Sequence, residues 1–160
     1  MQGNLGLYSA HIPLDLHPAY GNNRALADLI GLENLESFGE YDGIKIGFKG
    51  SLPAISSEKL GQVLEQKLDS QVKVIGKGEV KTVGLVTGGA ADIVRQAIQE
   101  GLDCYITGEG ANHHFHEATE GNCILIFAGH YATETGGVKS VGKHLKEEFD
   151  IDSEFLHYPT

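Results

Sequence analysis

The sequence has 160 residues, 41% of them apolar and 21% charged, with 22 glycines against 4 prolines. That length suffices for one domain with its own core, and no apolar run approaches the roughly 20 residues of a membrane span. A formal charge of −10 at pH 7 argues against a nucleic-acid partner, whose backbone selects a basic footprint, but not against a nucleotide held through metal ions.

In chain order, residues 5–10 read as a strand that enters His11-Ile12-Pro13-Leu14-Asp15. Pro13 disfavours helix at Ile12, so this stretch is expected to be an extended turn. After a loop, Asn22 or Asn23 caps a helix through Ala25, Leu26, Leu29 and Ile30 that stops at Gly31. Residues 39–43 are turn chemistry, and Ile44 to Phe48 alternates as a half-exposed strand. Ser56 or Ser57 caps a helix carrying Leu60, Val63, Leu64 and Leu68 on one face, followed by a short strand at 72–75. A strand at 83–86 runs into Thr87-Gly88-Gly89, and Ala91, Val94, Ala97 and Ile98 form a helical stripe ended at Gly101. A strand at 103–106 breaks at Thr107-Gly108-Glu109-Gly110, and residues 113–119 form a polar helix.

The apolar run Cys123 to Phe127 has the length of a buried strand and leads into Gly129-His130-Tyr131-Ala132-Thr133-Glu134. Val138, Val141, Leu145 and Phe149 then recur as one helix face, with His130 and Glu134 on that same face one turn apart. The last residues, 151–158, read as an edge strand. Strands alternating with helices predict an α/β domain spanning 1–160, a mixed and largely parallel sheet flanked by helices. In such sheets ligands bind beyond the carboxyl ends of the strands, which is where His11, Asp15, Glu109, His130 and Glu134 fall.

An imidazole and a carboxylate pointed inward need partners. A divalent metal suits both; a hydrogen-bonded His–Glu pair at a helix start is the alternative. His11 is read as lining the cleft or as a structural hydrogen bonder. Glu109 is a candidate general base, or holds a ligand histidine in its tautomer, or caps the next helix. Thr87-Gly88-Gly89 offers amides to an anion or makes a tight turn; it lacks the Gly-Lys-Ser/Thr of a Walker loop. Cys104 and Cys123 are expected to be free, buried thiols in a reducing compartment, and with no signal sequence in view the expected location is cytoplasmic. His17, His144 and His157 carry no surrounding pattern and are expected at the surface.

Taken together, Tyr8-Ser9-Ala10-His11-Ile12-Pro13-Leu14-Asp15, Gly21-Asn22-Asn23, Thr87-Gly88-Gly89-Ala90, Ile106-Thr107-Gly108-Glu109 and Gly129-His130-Tyr131-Ala132-Thr133-Glu134 with Gly136-Gly137 resemble the Nif-three-like family. Bacterial members of that family are often labelled GTP cyclohydrolase I type 2 homologues. The resemblance implies a pair of divalent ions (zinc, iron or manganese) in a cleft, a toroidal homo-hexamer, and a small-molecule substrate such as a nucleotide. By motif it implies Asp15, His130 and Glu134 as metal ligands, Glu134 bridging; in a hydrolytic reading of the residues, His11 or Glu109 is expected to assist proton transfer. Two further ligands of the family come from an adjacent His–His pair upstream of the segment that starts here. His113-His114 lies after the Thr107-Gly108-Glu109 motif and does not match that position; neighbouring histidines on a helix point about 100° apart, so one metal would not readily take both, and solvated surface is expected ahead of a ligand or substrate-facing role. One or two ions per chain are therefore expected. Metal-dependent hydrolysis is the leading activity, and a non-catalytic metal-binding or scaffold role, or retention of the fold alone, the alternative.

Overall fold

A computed structural model describes residues 3, 4 and 6–159. Six strands form one sheet in the order β1-β2-β4-β5-β6-β3. They are β1 (Glu33–Tyr41), β2 (Ile44–Ser56), β3 (Lys73–Ile75), β4 (Glu79–Leu85), β5 (Cys104–Thr107) and β6 (Ile124–Phe127). Among the described residues only the central β4-β5-β6 pairings are parallel. The three others, β1 with β2, β2 with β4 and β3 with β6, are antiparallel. The sheet is thus mixed, as expected, but its parallel character is confined to the middle. Two-residue hairpin chemistry explains one edge: Asp42 and Gly43 both take positive φ, 49° and 78°, the backbone that closes a tight hairpin.

Helices cover both faces. On one side lie α2 (Asn22–Ile30) and α3 (Ser57–Leu68), and on the other α4 (Val94–Gln99) and α5 (His113–Glu120). The central strands therefore bury side chains in both directions. Leu85, Cys104, Ile106 and Ile126 pack with Leu26, Leu60 and Leu64. Their alternating neighbours Tyr105 and Leu125 pack with Phe38, Val94, Ala97 and Ala118, as the period-two geometry of strands requires. Both cysteines are free and buried; burial pushes the Cys123 thiol up to about 11. Among the described residues no helix is long and apolar enough to cross a membrane.

Several local expectations change. Of the predicted strand at 5–10, Leu5 lies outside the described residues and 6–10 have no regular structure. Ile12–Asp15 is a short helix, α1, because proline is tolerated in the first helical turn, where an amide has no partner to lose. Gly21, not an asparagine, is the N-cap of α2. Strand β1 carries no alternating pattern in its sequence, since only Phe38 and Gly39 of its nine residues are buried. Ala91–Ile93 is a 3-10 turn preceding α4.

The final helical pattern is split into α6 (His130–Thr133) and α7 (Thr135–Phe149), with Glu134 between them at φ −104° and ψ 7°. The apolar stripe of α7 is not its buried face: Val138 is 50% and Phe149 62% exposed. Its packing edge is Gly136-Gly137, where an added Cβ would lie 2.5 Å from the Ala25 Cβ and 2.7 Å from Asn22 Oδ1. Absence of side chains, not hydrophobicity, lets α7 approach α2. Residues 151–158 form no strand, since the sheet's edges are β1 and β3. They are held by side-chain contacts instead, Tyr131 Oη to His157 Nδ1 at 3.3 Å and Lys139 over the Phe155 ring.

Asp103, at the start of β5, closes the neighbouring strand: its Oδ2 accepts from the Lys81 amide (2.9 Å), the Thr82 amide (2.8 Å) and the Thr82 hydroxyl (2.9 Å). Burial alone would push its pKa up, but these donors outweigh burial and hold it below the usual aspartate value. Replacing Asp103 by alanine should lower the unfolding free energy by about 1–3 kcal/mol in denaturant titrations. A depressed folded pKa contributes stability above the unfolded value of about 3.9 and loses it as pH falls through the folded value. The gap between wild type and Asp103→Ala should therefore close below about pH 4.

Candidate metal centre

Parallel pairing puts the carboxyl ends of β4, β5 and β6 on one edge, and three loops leave from it. They are tied to one another by backbone. The Gly88 carbonyl accepts from the Gly108 and Glu109 amides (2.8 and 3.2 Å), and Gly129 N donates to the Gly108 carbonyl at 2.9 Å. Thr107 Oγ1 donates to the Gly88 carbonyl at 3.0 Å. The Thr87-Gly88-Gly89 turn spends its amides inside the protein: Thr87 N on Asn23 Oδ1 (2.8 Å), Gly88 N on Thr133 Oγ1 (3.1 Å). Two of its three amides are thus used to close a tight turn. Gly88 sits at φ +73°, and a Cβ there would collide with Glu134 Oε1, so only glycine leaves room for the Glu134 carboxylate.

His130 opens α6 at the end of β6. Its Nδ1 is 2.9 Å from Glu109 Oε1 and its Nε2 is 3.4 Å from Glu134 Oε2. Glu109 therefore orients the imidazole and does not cap α5, whose N-cap is Asn112. Hydrogen bonding to Glu109, more than the pull of Glu134, raises the His130 pKa above its usual value, against the opposing effect of burial. Glu134 is raised too, by burial first and by the nearby Asp15 carboxylate, against the attraction of His130 and His11. Two carboxylates thus share a half-buried space.

Asp15 arrives from α1 and is positioned by residues read in the sequence only as caps. Asn22 Nδ2 donates to Asp15 Oδ1 at 2.7 Å, while Asn22 Oδ1 accepts from Gly137 N at 2.6 Å. Asn23 Nδ2 donates to the carbonyls of Asp15 (3.2 Å) and Ile46 (2.7 Å). Gly21 seats this pair: a Cβ there would come within 2.6–2.7 Å of three carbonyls of α1 and its following loop. Buried adjacent asparagines at a helix start were the signal for this role, since caps need not be buried.

A cleft of about 350 Å³ joins these groups, lined among others by His11, Asp15, Asn23, Thr87, His130 and Glu134. Thr87 Oγ1 is buried on that wall with no partner among the described residues. His11 is exposed at its mouth. Asp15, His130 and Glu134 are brought to one cleft but not drawn tightly together. Among the described residues, the three-membered set whose donor atoms all lie within 4.8 Å of one another is Asp92, His113 and His114. His114 is thus a core residue, 5% exposed, where solvated surface was expected. His17, His144 and His157 each bond a tyrosine or its backbone: His17 with the Tyr20 amide, His144 with Tyr20 Oη, His157 with Tyr131 Oη.

In metal-free protein, Glu109→Gln should lower the His130 pKa, followed by NMR titration of the ring protons. A raised folded pKa adds stability below the ordinary histidine value of about 6.5 and loses it as pH rises through the folded value, so the variant should be less stable than wild type mainly at acidic and neutral pH. Gly88→Ala forces a left-handed residue and displaces Glu134; thermal or denaturant unfolding should show a loss of about 1–3 kcal/mol.

Comparison with known proteins identifies the fold and the family. The chain is 39% identical over its full length to a protein from Halobacterium salinarum named GTP cyclohydrolase 1 type 2 homolog, and spans 65% of that relative's length. It superposes on the crystal structure of TTHA1606 from Thermus thermophilus with a TM-score of 0.87 and 35% identity, covering 99% of this chain and 63% of that one. Protein ybgI, solved as a protein of unknown function, gives a TM-score of 0.87 at 32% identity over 96% of this chain and 62% of that chain. The family model described as Duf34/NIF3 (NGG1p interacting factor 3) matches residues 1–159. With that match over nearly every residue, this chain belongs to the Duf34/NIF3 family.

Proposed function

We propose that the chain is a metal-binding protein with a hydrolase-type centre, in which Asp15, His130 and Glu134 hold one or two divalent ions of the zinc, iron or manganese kind. The observation that carries this reading is the pair of carboxylates, Asp15 and Glu134, lining one cleft with the His130 imidazole, with Glu134 pushed upward in pKa by burial and by Asp15. A cation relieves that repulsion. The donor set fits: with Nδ1 donating to Glu109, the Nε2 lone pair of His130 is left facing the cleft, the arrangement in which metal-ligating histidines are held. Without a metal, a proton on His130 serves as the counter-charge, so loading should release protons.

Bound there, a divalent ion would supply Lewis-acid polarisation and lower the pKa of water. The chain's own residues do the remaining work. Asn22 and Asn23 hold the α1 end against α2, β2 and β4, which fixes where the Asp15 carboxylate can reach. Glu109 keeps the His130 ring in one tautomer. His11 stands exposed at the cleft mouth, where it can exchange a proton with a bound small molecule, and the cleft has room for a ligand of nucleotide size. The names of the relatives support GTP or a similar nucleotide as the first substrate to try. Assembly as a homo-oligomer, a cytoplasmic location, and the absence of nucleic-acid and membrane partners belong to the same proposal; two free buried thiols and a charge of −10 support it.

A second reading, metal binding without turnover, is favoured by one feature: Asp15, His130 and Glu134 line one cleft without forming a close three-atom cluster. Metal content per chain by elemental analysis, on protein purified without a metal-affinity tag, tests both. Wild type should carry at least one ion, and Asp15→Ala and Glu134→Ala should each lower the metal content by about one equivalent per chain or more. Full metal retention in Glu134→Ala removes the site. Metal-dependent release of product from GTP or from phosphoesters separates the hydrolase from the non-catalytic reading.

A further inference from the structure

Beyond Asp15, His130 and Glu134, a second group of donors converges from two elements. Asp92 stands on the 3-10 turn before α4, and His113 and His114 open α5. His114 is the fixed member, buried, with Nε2 3.2 Å from Asp92 Oδ1. Its Nδ1 faces both backbone polar groups of one residue: the Ala111 amide at 2.9 Å and the Ala111 carbonyl at 3.1 Å. Two tautomers are therefore served. When Nδ1 accepts from the Ala111 amide, Nε2–H donates to Asp92. When Nδ1–H donates to the Ala111 carbonyl, a bare Nε2 lone pair confronts the Asp92 carboxylate, and only a cation between them makes that arrangement favourable. A carbonyl holding the far nitrogen is also how ligating imidazoles are oriented.

The distances suit such an ion. Two donors 3.2 Å apart, each about 2.05 Å from a zinc-sized ion, subtend roughly 100° at the metal, close to tetrahedral. His113 supplies the third donor within 4.8 Å of both others. The expected divergence of neighbouring histidines does not apply: the His113 and His114 rings overlie at 3.9 Å between centroids with 38° between planes. The start of α5 carries a partial positive charge that opposes a cation, so the Asp92 carboxylate is needed to offset it. The nearest guanidinium, Arg95, is engaged by Glu117. Asp92 and His113 are exposed, and Asp92 also lines the 350 Å³ cleft, which leaves open coordination positions for water or an anionic oxygen.

We propose that Asp92, His113 and His114 form a second metal site, taking one divalent ion of the zinc, cobalt or nickel class through two imidazoles and a carboxylate. It does not depend on the Asp15–His130–Glu134 site. The full chain carrying Asp15→Ala and Glu134→Ala, stripped of metal, is titrated with Co²⁺ alone. Visible absorption of low-coordinate cobalt and the cobalt retained after gel filtration are read. One Co²⁺ per chain is expected, and adding Asp92→Asn or His113→Ala should each weaken binding by roughly tenfold or more, in the range seen when support of a metal site is removed. Both side chains are exposed, and unchanged circular dichroism melts check that the fold survives. No stoichiometric cobalt in the double variant, or an affinity unchanged by both further substitutions, overturns the proposal. Loss of metal from the otherwise intact chain on Asp15→Ala concerns only the other site.

Discussion

The structure hinges on one buried side chain that bonds in three directions. Asn23 is fully buried. Its amide nitrogen reaches the carbonyls of Asp15 and Ile46, and its oxygen takes the amide of Thr87. It therefore joins the end of α1, the long strand β2 and the turn after β4, which are far apart in sequence. Each of those backbone groups would be left unpaired by an apolar residue at this position, and buried unpaired groups are what folds avoid. Asn22 does the same one residue earlier, between Asp15 and the first turn of α7. Two adjacent amides convert a helix start into the clamp on which the cleft is built.

Around that clamp the parallel centre of the sheet sets the rest. Three strands ending on one edge deliver Gly88, Glu109 and His130 side by side, and their loops are cross-bonded through the carbonyls of Gly88 and Gly108. The break between α6 and α7 belongs to the same construction. A continuous helix would carry Glu134 round with the next turn. Instead it stands at the junction, against a glycine that has no Cβ to collide with it. The helix behind comes close because Gly136 and Gly137 offer no bulk to Ala25 and Asn22.

Electrostatically the cleft concentrates negative charge where burial makes it costly. Glu109 and Glu134 flank one imidazole, whose pKa is raised first by its bond to Glu109, while Glu134 is raised first by burial and then by Asp15. Asp92 also lines this cleft and meets the buried His114, whose Nδ1 faces the backbone of Ala111.

Much was legible in the sequence because it is local. The helices at 22–30 and 57–68, the buried strands 104–107 and 124–127, and the turns after them follow from apolar period, caps and glycines. So does the placement of His130 and Glu109 at strand ends. Features that depend on partners distant in the chain were not legible. Polar β1 becomes a strand only because β2 pairs with it. The stripe of Val138 and Phe149 looks like a core face yet is exposed, because the approach of α7 is decided by which neighbour can come closest. Residues 151–158 have strand composition but no free strand edge beside them. Adjacent histidines at 113 and 114 overlie because Asp92 and Ala111, from separate segments, fix one ring. Sequence by itself placed candidate groups such as His130 and Glu109 at strand ends, since residue type and local period suffice for that. Tertiary structure alone decided which of them meet, because hydrogen bonds such as those of Asn23 are made across the chain and leave no mark in any local pattern.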